Sequence, residues 1–233
     1  MSGKEQTESY SPLREEYRRL ARRYEERWRF YVEASIKETL HRLHPWESAR
    51  VLDIGCGTGL LLERLREQRP ESRFVGVDAC GEMLQVAQER RAGNASWIVG
   101  LAEQLPFSRA SFDVVLSTNV FHFIRRPSVA LAEFSRVLQP GGWLYVTDWC
   151  DDYWACRICD FFLRRFSASH VRTYGTNECR NFLLRAGFDT VHVERYKISR
   201  LWGLMTAAAR KPADAESPRC IHPDRLCHDR PQG

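Results

Sequence analysis

Three glycines at alternate positions end the segment Val51-Leu52-Asp53-Ile54-Gly55-Cys56-Gly57-Thr58-Gly59. The apolar run ahead of them reads as a strand and Leu60 onward as a helix, so they occupy a strand-to-helix turn. Glycine lets the chain bend sharply there and lets a ligand approach the backbone, with helix N–H groups facing it. In an open α/β sheet this first turn lies at the carboxyl edge, where ligands bind. A dinucleotide fingerprint would place its third glycine at position 60, which is Leu60. Asp53 puts an acid at the end of the same strand. A pyrophosphate gains nothing from a nearby carboxylate, whereas a ligand carrying an ammonium or other cation does. Asp78 follows Gly59 by nineteen residues, at the tip of the next apolar run. An acid there can accept hydrogen bonds from both hydroxyls of a ribose. Taken alone, it could equally cap the next helix.

These residues need a frame to hold them. Short apolar runs at Arg50–Ile54, Arg73–Val77, Ser96–Val99, Phe112–Ser117 and Gly142–Asp148 read as strands, alternating with helical segments near Leu60–Gln68, Gly81–Arg91 and Ser128–Leu138. Strand–helix alternation with nearly continuous apolar strands predicts a mostly parallel sheet covered on both faces. Pro140-Gly141-Gly142 reads as a sharp helix stop ahead of the fifth strand. Helices over Tyr153–Phe166 and Thr176–Ala186 and strands over Thr190–Tyr196 and Trp202–Arg210 complete the pattern. Ahead of all this, Tyr17, Leu20, Ala21, Tyr24, Trp28 and Tyr31 recur at helical spacing. They form one apolar stripe that must lie on the following domain. The expected divisions are a helical cover over 1–44, a ligand-binding domain over 45–211, and a polar tail over 212–233 without a core of its own.

The chain has 233 residues, a net charge of +5 and 43% hydrophobic residues, an ordinary globular composition. No window approaches the roughly 18–20 apolar residues of a membrane span. No apolar run follows Met1, so the expectation is a cytoplasmic protein. In that compartment the eight cysteines are expected to be mainly small buried hydrophobes rather than disulfides. The charge excess lies in 151–211, with eleven basic side chains against six acidic ones. These are interleaved with apolar residues, so no nucleic-acid partner is expected.

Four blocks resemble, in order, the class I S-adenosylmethionine-dependent methyltransferases of the ubiquinone/menaquinone-biosynthesis and methyltransferase-type-11 branch. They are Asp53 to Gly59; Val77-Asp78-Ala79 with Met83-Leu84; Ala102-Glu103-Gln104-Leu105-Pro106-Phe107 leading to Ser111-Phe112-Asp113-Val114-Val115; and Arg136-Val137-Leu138-Gln139-Pro140-Gly141-Gly142. The resemblance implies a Rossmann-like α/β fold, with a seven-stranded mostly parallel sheet, helices on both faces and an N-terminal helical cover. It implies S-adenosylmethionine as cofactor and S-adenosylhomocysteine as product. Carried over by position, Gly55, Cys56, Gly57 and Gly59 form the turn around the cofactor's amino-acid part, with Asp53 near its ammonium. Asp78 takes the ribose hydroxyls, Ala79 and Met83 flank the adenine, and Ala102 and Glu103 lie at its edge. Ser117 lines the methionyl end, and Tyr24 closes over the whole. Many members carry an Asp for the adenine amino group where this chain has Leu101.

The resemblance further implies methyl transfer to a small acceptor through oxygen, carbon or nitrogen. His122, just past the fourth strand, is a candidate general base or a loop-holding histidine, and Asp148 could orient a substrate. Helix capping at Tyr153 accounts for at least one of Asp148, Asp151 and Asp152. The segment from Trp149 to Tyr174 mixes aromatics with arginines and would suit an apolar or aromatic acceptor bearing an anionic group, although more than half of its aromatics should be helix core. Cys150, Cys156 and Cys159 resemble the metalloid-binding trio of arsenite methyltransferases, but no second Cys-x-x-Cys makes a zinc ribbon, and no metal is expected. Cys220, His222, Cys227 and His228 of the tail do not change that expectation. The alternatives are a protein or nucleic-acid methyltransferase, though no Asn-Pro-Pro-Tyr-type motif follows the fourth strand, and a non-catalytic scaffold that binds the same cofactor. Oligomeric state is left open.

Overall fold

A computed structural model describes residues 10–90, 93–167 and 170–213. Seven strands form one sheet: β1 Arg50–Ile54, β2 Arg73–Asp78, β3 Ala95–Val99, β4 Phe112–Thr118, β5 Leu138–Trp149, β6 Asp189–Lys197 and β7 Gly203–Arg210. Their spatial order is β3-β2-β1-β4-β5-β7-β6. Pairings among β1 to β5 are parallel, and β7 is antiparallel to both β5 and β6. The order reverses between β1 and β4, which opens a crevice at their carboxyl ends. Each of the seven predicted strands forms, with ends displaced by a few residues.

Both faces of the sheet are covered. Leu52, Ile54, Val115, Leu144 and Val146 pack beneath α5 (Pro127–Val137) and α7 (Thr176–Arg185) through Leu131, Phe134, Cys179 and Leu183. On the other face, Val51, Val114, Leu116 and Tyr145 meet α3 (Leu60–Gln68) and the N-terminal cover through Leu61, Leu62, Val32 and Ile36. Consecutive residues of β1 and β4 thus serve opposite cores, as pleated strands require. The remaining helices are α4 (Gly81–Glu89) and α6 (Trp154–Phe166).

The cover consists of α1 (Ser11–Leu20), a short 3₁₀ turn (Ala21–Arg23) and α2 (Tyr24–Arg42). Its stripe is not continuous. Backbone angles leave the helical range at Trp28 (φ −113°, ψ 16°), and its side chain faces solvent. Val32, Ser35, Ile36 and Thr39 supply the buried face beyond the kink. The helix stop also differs from expectation. α5 ends at Val137, and β5 already pairs Leu138 with Phe112, then shifts register to pair Trp143 with Val114. Pro140-Gly141-Gly142 therefore forms an irregularity within β5, with Gly141 left-handed (φ 78°). Most of the expected tail, from residue 214, lies outside the described residues, as does the set of Cys220, His222, Cys227 and His228.

Candidate functional site

Strand β1 delivers the chain into its glycine turn with Gly55, Gly57 and Gly59 all left-handed (φ 70°, 54° and 77°). The turn is anchored by Gly55 N and Cys56 N, which donate to Val77 O at 2.7 and 3.1 Å. A Cβ on Gly55 would lie 2.2 Å from Val120, and one on Gly59 2.5 Å from Trp97. Gly59 therefore serves helix–sheet packing rather than the ligand side. Asp78, at the tip of the neighbouring β2, clamps the turn: its Oδ2 accepts from Gly57 N (2.9 Å), while its Oδ1 accepts from Cys80 N (2.8 Å). Burial raises the Asp78 carboxyl, while those N–H groups and Arg14 pull it back.

The turn floors a pocket enclosing about 750 Å³ including its open mouth. Tyr24, Gly55, Gly57, Asp78, Ala79, Met83, Ala102 and Glu103 line it, and so does Leu101. Asp53, Cys56, Gly59 and Ser117 stand behind that lining. Asp53 is buried and has no side-chain hydrogen bond among the described residues. Burial, with the Asp78 carboxylate nearby, pushes its carboxyl up to about 8. Cys56 turns its thiol toward Gly57 O at 4.0 Å. Ser117 Oγ is buried and without a partner, and Thr118 and Asn119 reach the pocket in its place.

Sequence reasoning missed the contribution of the cover's first turns. Tyr10, Leu13, Arg14 and Tyr17 join Tyr24 over the pocket. Tyr10 Oη donates to Glu103 Oε1 (2.5 Å) and accepts from Arg125 N (3.1 Å), while Glu103 Oε2 is buried without a partner. Arg14 Nε is likewise buried and unpaired. Tyr17 could have been found, because it belongs to the apolar stripe; Tyr10, Leu13 and Arg14 carry no such signal. Farther along, Arg90 bonds Glu25, Glu63 (2.6 Å) and Thr58 O (2.7 Å), and Thr58 Oγ1 bonds Glu25, which fixes the cover to the glycine turn. Tyr31 donates to Asn119 Oδ1 (2.6 Å) and accepts from Trp149 Nε1.

His122 does not line the pocket. Its Nδ1 pairs with Asp148 Oδ1 at 2.7 Å, and its peptide N donates to Asp148 Oδ2 at 2.9 Å. Trp149 stacks on the imidazole at 5.1 Å, and Phe123, a pocket residue, packs on it at 3.9 Å. The dyad thus sits one ring behind the pocket wall. Both Val171 N and Arg172 N donate to His122 O at 3.1 Å, so the residue also holds the loop after α6. Capping at Tyr153 is not what the aspartates do: α6 has no side-chain cap, and Asp152 instead accepts from Thr176 N and Oγ1 (3.1 and 2.6 Å) at the start of α7.

Burial disfavours the thiolate form across the cysteine trio. Burial pushes the Cys150 thiol up to about 12 and raises Cys156 and Cys159 as well. Cys156 Sγ donates to Gly203 O at 3.4 Å. Among the described residues, no cluster of His, Cys, Asp and Glu could hold a metal ion.

Comparison with known proteins agrees with this geometry. A family model described as a methyltransferase domain matches residues 52–146. Malonyl-[acyl-carrier protein] O-methyltransferase of Hahella chejuensis is 39% identical over 93 residues, 40% of this chain and 33% of that protein. Ubiquinone/menaquinone biosynthesis C-methyltransferase UbiE of Dinoroseobacter shibae is 38% identical over 112 residues, 46% of this chain and 44% of that protein. The crystal structure of an S-adenosylmethionine-dependent methyltransferase from Thermotoga maritima superposes with a TM-score of 0.69 at 25% identity, covering 84% of this chain and 98% of the other. The chain spans less than half the length of either of these two curated relatives.

Proposed function

The chain carries a class I methyltransferase domain, and from that premise we propose that it transfers the methyl group of S-adenosylmethionine to a small, apolar acceptor. The cofactor supplies an electrophilic methyl on a sulfonium, open to in-line attack by an oxygen, nitrogen or carbon nucleophile. One observation carries the reading. Asp53 is a buried carboxyl with no hydrogen-bond partner among the described residues, directly behind a left-handed glycine turn. Burying an acid this way is costly unless a cation arrives to meet it.

The rest of the site fits the same molecule. Asp78 gives one lone pair of Oδ2 to the turn and one of Oδ1 to Cys80 N ahead of α4, and a carboxylate keeps further acceptor sites for two ribose hydroxyls. Ala79 and Met83 offer apolar contact for an adenine. Glu103 Oε2, unpartnered near Leu101, is an acceptor for the adenine amino group that Leu101 lacks. Tyr17, Tyr24 and Phe123 exclude water above the reacting end, and their apolar rings favour an apolar acceptor. Calorimetric titration with S-adenosylmethionine and S-adenosylhomocysteine tests the reading. Micromolar binding of both is expected; no binding of either would leave the fold without this function.

In this reading Phe123 swings aside when the acceptor binds and brings His122 to the pocket as general base, and Asp148 is a positioning residue that holds its Nδ1. With Nδ1 committed, Nε2 is the nitrogen able to take a proton from an acidic acceptor. His122→Gln is expected to leave S-adenosylhomocysteine affinity within about twofold while turnover falls by roughly 10²–10⁴. Unchanged turnover would assign His122 to holding the loop.

A further inference from the structure

Helix α6 turns its large apolar residues outward. Trp154, Ile158, Phe161, Phe162 and Phe166 are 66%, 49%, 70%, 54% and 78% exposed. At 3.6 residues per turn they fan over roughly 140° of the helix circumference, a continuous ridge rather than scattered contacts. The inner face is already satisfied. Cys156 and Asp160 are buried, and Asp160 Oδ1 accepts from Thr173 N (2.7 Å) and pairs with His170 Nε2 (2.8 Å). The helix is therefore seated, and the ridge is what it leaves outside. Of the seven aromatics from Trp149 to Tyr174, Trp154, Phe161, Phe162 and Phe166 are exposed, so the expectation that more than half form core is overturned: on α6, Cys156 and Asp160 rather than rings face the domain.

Cations frame the ridge. Arg157 and Arg164 run along one edge, and Arg165 lies within it, 5.7 Å from the Phe166 ring. At the helix start, Arg195 and Lys197 of β6 stand 5.6 and 5.8 Å from the Tyr153 ring. Exposed Arg200 and Leu201 follow in the β6–β7 loop, which leads to Gly203 against Tyr153 and Cys156. Two neighbouring carboxylates reach the edge arginines only at long range, Asp151 at 3.8 Å from Arg157 and Asp160 Oδ2 at 3.8 Å from Arg164, while Asp152 bonds Thr176 and Glu194 bonds Arg42; Arg165, Arg195, Lys197 and Arg200 add to the positive frame.

The geometry points to a membrane surface bearing anionic lipids as the occupant of this face. An aromatic ridge framed by arginines is the composition of a helix that lies in the bilayer interface, its rings among acyl chains and its guanidinium groups at phosphates. Thirteen residues make a rod of about 20 Å, too short to span a bilayer but suited to lying in its plane. No helix among the described residues is long and apolar enough to cross a membrane. A two-fold pairing of identical ridges would set the arginines against their own images. A folded partner would need a groove cut to a convex ridge, whereas lipid conforms to it. The inference goes beyond methyl transfer and does not rest on it.

Co-sedimentation of the full chain with vesicles tests it, using phosphatidylcholine alone and phosphatidylcholine mixed with phosphatidylglycerol. The protein is expected to pellet with the mixed vesicles and much less with phosphatidylcholine, and added salt should weaken binding. Phe161→Gln with Phe166→Gln should lower partitioning more than tenfold, and Arg157→Gln with Arg164→Gln should reduce the preference for anionic lipid severalfold. All four side chains are exposed, so unchanged melting and S-adenosylhomocysteine binding confirm that the variants fold as the parent does. Failure of the parent to pellet with mixed vesicles overturns the proposal, as does equal pelleting of the phenylalanine variant. A concentration-dependent dimer in sedimentation velocity that the phenylalanine variant abolishes, without vesicle binding, would assign the ridge to a second copy instead.

Discussion

Asp53 is buried beside the Asp78 carboxylate, and its titration follows from that position. Its carboxyl is pushed up to about 8 from a usual 3.8. Below the lower value the group is protonated in both folded and unfolded chains and costs nothing. As pH rises through the window, the unfolded chain ionises freely while the fold resists, so stability falls until the upper value is passed. Asp53→Asn removes that penalty. Melting curves of parent and variant should lie close together near about pH 4 and separate toward about pH 8, with the variant the more stable. S-Adenosylmethionine should raise the parent's melting temperature more at the alkaline end, where the carboxylate can meet its ammonium. Asp78 acts differently, since it both holds the turn and lines the pocket. Asp78→Ala should weaken S-adenosylmethionine binding more than tenfold by calorimetry, from loss of charge-assisted hydrogen bonds worth about 1.5–3 kcal/mol; unchanged affinity would remove it from the ribose.

The N-terminal cover is held at the element scale by polar ties to strand ends. Tyr31 of α2 bridges Asn119 after β4 and Trp149 at the end of β5, while Ser35 accepts from Asn119 Nδ2 (2.7 Å) and Thr39 donates to Thr147 (2.9 Å). Tyr31→Phe keeps the ring and deletes the bridge, leaving half-buried Trp149 and Asn119 groups short of a partner. The cost should be about 2 kcal/mol, seen as a melting temperature lower by roughly 4–8 °C. The kink at Trp28 lets α1 lie over Cys80 and Met83 while α2 continues along the sheet. Periodicity revealed that these segments are amphipathic; it could not reveal that one helical stripe serves two surfaces.

At the scale of the whole molecule, the sheet is a scaffold whose order reverses between β1 and β4, and the pocket lies where it reverses. On the far side the antiparallel β7 lies between β5 and the edge strand β6, and Lys211 just beyond it donates to Ser135 O and Leu138 O, each at 2.7 Å. Among the described residues, that tie is the last in this direction. Deleting Pro212–Gly233 should leave the melting temperature and S-adenosylmethionine affinity unchanged. A loss of several degrees would show that the tail contributes to the fold.

The sequence by itself determined the features that rest on local chain geometry and strand periodicity: the glycine turn, the acids at two strand tips, seven strands and the alternation that makes them mostly parallel. Glycine at a left-handed position and an acid at a strand end are constraints that neighbouring residues already express. Tertiary structure decided the rest. Only packing put Tyr10, Leu13 and Arg14 over the pocket that Glu103 and Asp78 line, across separations that no local pattern encodes. Only packing set His122 behind Phe123 and left Asp53 without a partner. The same holds for α6, whose spacing shows that Trp154, Ile158 and Phe162 share a side. Whether that side meets core or solvent depended on which face Asp160 and Cys156 could anchor, because amphipathicity states that a helix has two faces and not what each one meets.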